Sequence, residues 1–126
     1  MNDYLDKYAA EYKTATFKPS FGYRLDRDTS GVLIAAKSYE ALQYINTIIR
    51  ERDIDKYYLT IVIGKFPNHL IIKKPITKTY NKALDRSQVK VDFDDGLEAK
   101  TECRLEKSIK HPVLGPISLL KVKIHT

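Results

Sequence analysis

Residues 23–37 read YRLDRDTSGVLIAAK, and the two halves of this stretch belong to different kinds of structure. The first half sets Arg24, Asp26, Arg27 and Asp28 within five positions and ends on Thr29-Ser30-Gly31, residues that favour turns. The second half, Val32-Leu33-Ile34-Ala35-Ala36, is an unbroken apolar run of strand length, which predicts a buried strand. A charged turn feeding a core strand puts polar side chains at the edge of a sheet. Taken on charge alone, such a turn is a solvated loop with internal ion pairs. A carboxylate held there by arginine would also stay ionised and aimed, which suits a base or a nucleophile.

Upstream, residues 2–12 predict a short amphipathic helix that Asn2 can cap, with Leu5, Tyr8, Ala9 and Tyr12 on one face. Residues 13–22 contain Pro19 and Gly22 and read as a loop. Downstream, Ser38 is a natural N-cap for a second helix carrying Ala41, Leu42, Ile45, Ile48 and Ile49 on one stripe. Residues 57–63 are rich in aromatic and β-branched side chains and predict a strand stopped by Gly64. A further strand is expected over Leu70–Lys73, and 76–87 reads as an exposed loop. The last third alternates: Val89, Val91 and Phe93, then Ala99, Thr101, Cys103 and Leu105, then Leu120, Val122 and Ile124. Asp95-Gly96 reads as a tight hairpin turn between the first two of these runs, and 111–116 as a second turn. The fold class is therefore α+β, a mixed and largely antiparallel sheet with two flanking helices.

The chain has 126 residues, enough for one domain with a modest core. Twenty-two Lys+Arg against 16 Asp+Glu give a formal charge of +6, which favours an anionic partner such as nucleic acid. No apolar run approaches the roughly 18 residues of a membrane-spanning helix. A single cysteine, Cys103, excludes an internal disulfide and fits a reducing, cytoplasmic setting. Three scattered histidines and that cysteine do not make a metal site. Glycine-rich phosphate loops and a GxSxG elbow are absent as well. Chemistry without metal or cofactor is expected.

Residues 23–37 resemble the H-R-L-D-x-x-T-S-G-[LV]-L-x-x-A-K signature of the RluA-type family of RNA pseudouridine synthases, with Tyr23 in place of the leading His. Two further stretches agree. Residues 56–64, KYYLTIVIG, are similar to the family's K-x-Y-x-A-x-V-x-G strand, and residues 99–103 to its A-x-T-x-[YFC] strand. Residues 121–126 look like the approach to the family's T-G-R-x-H-Q-I-R segment, with Thr126 as its first residue. The loop and hairpin around 76–101 look most like the RluC-like branch, which acts on large-subunit ribosomal RNA. The arginine of T-G-R and the N-K-P strands of the family do not appear, so residues 1–126 are expected to be a catalytic domain truncated at both ends.

The resemblance implies isomerisation of uridine to pseudouridine in RNA, without cofactor or metal. It implies Asp26 as the essential carboxylate, and Tyr58 as the platform on which the target uracil stacks. Arg24 shares a face with Asp26 if the segment is extended, and would orient it or contact RNA. Arg27, Thr29 and Lys37, with Lys73 and Lys74 at the head of a basic stretch that continues through Lys78, Lys82 and Arg86, are the candidate RNA contacts. Adjacent tyrosines point to opposite sheet faces, so only one of Tyr57 and Tyr58 can line the cleft. Two other readings stand beside this one. One is a non-catalytic RNA-binding fragment; the other is a basic interaction domain with no RNA partner.

Overall fold

The computed structural model describes residues 2–82 and 85–126, without the side chains of Asn2 and Arg86. The expected cap at Asn2 and the arginine of the basic stretch therefore lie outside the described side chains. The chain divides into two compact units, one ending at Ile54 and the other running from Asp55 to Thr126.

In the first unit, α1 spans Asn2–Tyr8 and a single 3-10 turn follows at Ala10–Tyr12. Leu5 and Ala9 are buried, as their spacing requires. Tyr8 is a correction: it is exposed and packs its ring on Tyr4, with centroids 4.5 Å apart, rather than joining the buried face. Helix α2 spans Tyr39–Arg50, and the Ser38 hydroxyl accepts from the Ala41 N–H at 3.2 Å, the cap expected from sequence. Ile45 is its buried residue.

The expected strand over Val32–Ala36 is much reduced. Only Ala35–Ala36, β2, pairs, with β1 at Ser20–Phe21. Val32 is 80 % exposed. A ladder needs a partner as long as itself, and β1 is bounded by Pro19 and Gly22, so most of the apolar run finds no strand partner among the described residues of this unit.

The second unit contains a four-stranded antiparallel sheet in the order β3-β8-β7-β4. Its strands are β3 (Lys56–Ile63), β4 (His69–Lys73), β7 (Lys100–His111) and β8 (Gly115–Ile124). The register Tyr58↔Val122↔Cys103↔Leu70 fixes the two faces. One face carries Tyr58, Cys103, Ser118 and Leu120. The last three are buried, and the Ser118 hydroxyl donates to the Gly64 carbonyl at 2.9 Å. The other face carries Tyr57, Leu59, Ile61 and Ile63, all exposed. A bulge at Glu106 interrupts β7 between Leu105 and Lys107.

The stretch expected to be an exposed loop at 76–87 is half of a hairpin. Strand β5 (Ile76–Asn81) pairs with β6 (Arg86–Val91) from Ile76↔Val91 to Asn81↔Arg86. Thr77, Thr79 and Tyr80 are good strand formers, and β6 supplies the partner that no local pattern reveals. That pairing also overturns the hairpin expected at Asp95-Gly96. Val89 and Val91 face β5 partners, not β7. Residues 92–96 form a turn in which the Asp92 carboxylate accepts from the N–H groups of Asp94 and Asp95, both at 3.2 Å. Gly96 is needed there for space: a Cβ would meet the Asp92 carbonyl and the backbone of Pro75 and Ile76.

Candidate functional site

The charged turn 24–31 is a loop held closed at its base. The Gly22 N–H donates to the Ile34 carbonyl at 3.1 Å, and the Tyr23 hydroxyl donates to the Val32 carbonyl at 2.7 Å. Inside this clasp the Thr29 N–H donates to the Asp26 carbonyl at 3.1 Å, closing a turn over Arg27 and Asp28. Gly31 follows with φ of 151°, a conformation that other residues rarely adopt, which gives the glycine of this stretch a backbone reason. The loop presents Arg24, Asp26, Arg27 and Asp28 to solvent.

The structure thus brings Arg24, Asp26, Arg27 and Thr29 onto one loop, though not as an ion-paired cluster. Among the described residues Asp26 forms no salt bridge with Arg24 or Arg27. The expectation that arginine holds this carboxylate is corrected to that extent. The turn and the clasp close the backbone of the loop that carries Asp26. Lys37 lies just past β2 and is engaged elsewhere: its ammonium donates to the Tyr12 hydroxyl at 2.9 Å and lies 4.1 Å from the centre of that ring. The hydrogen bond to Tyr12 raises its pKa and keeps it cationic. Tyr23→Phe removes the hydroxyl that closes the loop, so we expect a stability loss of about 1 kcal/mol, read from urea unfolding. Parent-like stability would show that the clasp contributes nothing.

In the second unit, Tyr58 is half-buried on the face that holds Leu120. Lys73 ends β4, and the N–H of the next residue, Lys74, donates to the Ala99 carbonyl at 3.1 Å. Both lysine side chains are exposed, as are Lys78 and Lys82. These cations remain available to phosphate along the β4 end and the β5–β6 hairpin.

Sequence reading missed a denser cluster on the opposite sheet face. Glu102 accepts from Arg104 at 2.8 Å and contacts His69 at 3.0 Å and His125 at 3.3 Å. One carboxylate on β7 thereby links β4 with the end of β8. Its side chain is 17 % exposed. Arg104 first, then His69 and His125, hold its carboxyl down at about 2 from an ordinary 4.5. Nearby, Lys123 pairs with Asp55 at 2.6 Å, which raises the lysine and lowers the acid. The histidines lie 33 and 23 residues from Glu102 in sequence, so only the register places them together.

A carboxylate with a lowered folded-state pKa stabilises the fold above its unfolded pKa, and that stabilisation is lost as pH falls through the folded value. The contribution of Glu102 is thus complete above about 4.5 and disappears toward 2. Glu102→Gln should flatten the acid limb of the melting temperature between these pH values. An unchanged slope in differential scanning fluorimetry would remove the role assigned to the cluster.

Among the described residues no group of acids, histidines or cysteine is arranged to hold a metal ion. No helix among them is long and apolar enough to cross a membrane.

The fold is similar to that of two solved structures. The solved structure of human RNA Pseudouridylate Synthase Domain Containing 1 superposes with a TM-score of 0.70, over 86 % of this chain and 45 % of that one, at 22 % identity. Human RNA Pseudouridylate Synthase Domain Containing 4 gives 0.70 over 98 % of this chain and 49 % of its own, at 18 % identity. The sequence profile of the RNA pseudouridylate synthase family matches residues 2–126, and the chain belongs to that family. Among curated relatives, ribosomal large subunit pseudouridine synthase C of Buchnera aphidicola is 36 % identical over 104 residues, 82 % of this chain and 32 % of the relative. The Yersinia pestis protein of the same name is 34 % identical over the same shares. The chain spans about a third of the length of these relatives.

Proposed function

We propose that the chain contributes to the isomerisation of uridine to pseudouridine in RNA, with large-subunit ribosomal RNA in the cytoplasm as substrate. The observation that carries this reading is the family match across residues 2–126. The relatives named for the large ribosomal subunit support the choice of RNA.

In this reaction the N1–C1′ bond of the nucleotide breaks, the uracil turns, and C5 bonds to C1′. C5 loses a proton and N1 gains one, so atoms balance without a redox partner. Asp26 is the reacting carboxylate in this reading. Its exposure on a clasped loop supports that role, since a flipped nucleotide can reach it there. Arg24 and Arg27 on the same loop bind the RNA backbone, and Thr29 shapes the turn. Tyr58 stacks on the target base, and Lys73 and Lys74 contact phosphate. Lys37 exchanges the Tyr12 hydroxyl for phosphate. Residues 1–126 are read as part of a longer catalytic domain.

The test is tritium release from ribosomal RNA labelled at uridine C5, because forming the C5–C1′ bond expels that hydrogen. Release by the chain, or by the chain extended past Thr126, is the expected outcome. Silence from both would refute the isomerase reading.

A further inference from the structure

One groove in the second unit does not involve Tyr58. It lies on the opposite sheet face and is lined by Tyr57, Glu102, Arg104, Glu106, Lys121 and Lys123, with a volume of about 470 Å³. That is within the range of roughly 300–1,000 Å³ typical of small-ligand sites. Cross-strand register assembles it: Tyr57 faces Lys123, which faces Glu102, and one row along Lys121 faces Arg104. Tyr57 is 51 % exposed, and the ammonium groups of Lys121 and Lys123 lie 4.8 and 5.5 Å from its ring centre.

The cations differ in how they are occupied. Arg104 is committed to Glu102, and Lys123 to Asp55. Lys121 forms no salt bridge among the described residues and rests on the ring. Glu106 is the extra residue of the β7 bulge and has no ion pair among the described residues. An exposed aromatic ring, a free ammonium and an unpaired carboxylate match the three parts of a nucleotide. The ring offers a stacking platform, the ammonium a phosphate contact, and the carboxylate an acceptor for a base N–H or a ribose hydroxyl.

We propose that this groove binds a single unpaired nucleotide of RNA, at a second contact on the sheet face opposite Tyr58. The proposal rests on the RNA reading above and extends it to a residue and a face that the family motifs do not include. The nucleotide stacks on Tyr57, Lys121 moves from the ring to its phosphate, and Glu106 accepts from the base or the sugar.

The test is fluorescence anisotropy with a labelled single-stranded octauridylate at low and moderate salt. Tyr57→Leu should weaken binding about ten-fold, while Tyr57→Phe stays within about two-fold of the parent. Lys121→Gln should weaken binding about three-fold and reduce the salt slope by about one. It is a surface change and carries the test if the leucine variant does not fold. Parent binding that is unaffected by Tyr57→Leu and Lys121→Gln would overturn the groove while leaving the RNA reading intact. No binding by the parent at low salt would instead overturn the RNA reading and the groove with it.

Discussion

Asp26→Asn is expected to lower tritium release at least a hundred-fold while leaving RNA affinity within about three-fold of the parent. The side chain is nearly isosteric, but an amide neither forms a covalent bond at carbon nor accepts a proton at neutral pH, and removing a reacting group of this kind costs about 10²–10⁴ or more in rate. The substitution is also structurally mild. Asp26 contributes its backbone carbonyl to the turn, not its carboxylate, and asparagine suits such positions. A loss of turnover at constant binding and constant melting temperature would therefore assign the chemistry to the carboxylate. Parent-like turnover by the variant would move the reacting group elsewhere and reduce the 24–31 loop to an RNA contact.

Leu120→Ala is expected to cost about 3 kcal/mol, a large share of the roughly 5–15 kcal/mol that a domain of this size possesses. Leu120 is 2 % exposed and sits in a central strand, with Thr60 opposite on β3 and Leu105 opposite on β7. Truncating it removes apolar contact and leaves a cavity bordered by a rigid ladder that closes poorly around it. Ile61→Thr is the matched control. Ile61 lies on the other face of β3 and is 68 % exposed, so its loss should change stability by less than about 0.5 kcal/mol. Urea midpoints for the two variants give the comparison. Equal midpoints would mean that the Leu120 face is not the core of this unit.

Much of this architecture could be read from sequence because its signals are local. Ser38 and the stripe through Ile45 needed only helical spacing, and β3 needed only its composition. What could not be read depended on partners. Val32–Ile34 carry every local mark of a strand, yet a strand exists only where a neighbour completes its hydrogen bonds. Thr77–Asn81 carry weaker marks and form one, because β6 returns alongside them. The candidate site divides in the same way. Asp26 and its neighbours are contiguous, so one motif displays them together. The Glu102 cluster and the Tyr57 groove draw on three or more strands, and no stretch of sequence puts them side by side. Tyr57 itself was in view beside Tyr58, but its lysines could be assigned to its face only once the β3–β8 register was known.

The bulge in β7 gives two neighbouring residues opposite tolerances to loss. Leu105 opposes Leu120, and the next paired position, Leu119, opposes Lys107, so Glu106 is carried without a partner. A chain shortened by Glu106 keeps every pairing on both sides and closes the irregularity into an ordinary ladder. A chain shortened by Leu105 reaches the same register, but it delivers a carboxylate into the position facing Leu120. Two deletions that differ by one codon thus produce one backbone and two destinies. The strand has a single point at which its length can change freely, and that point coincides with an acid lining the Tyr57 groove. Lineages that shed this residue would keep the sheet and lose only a feature of its surface.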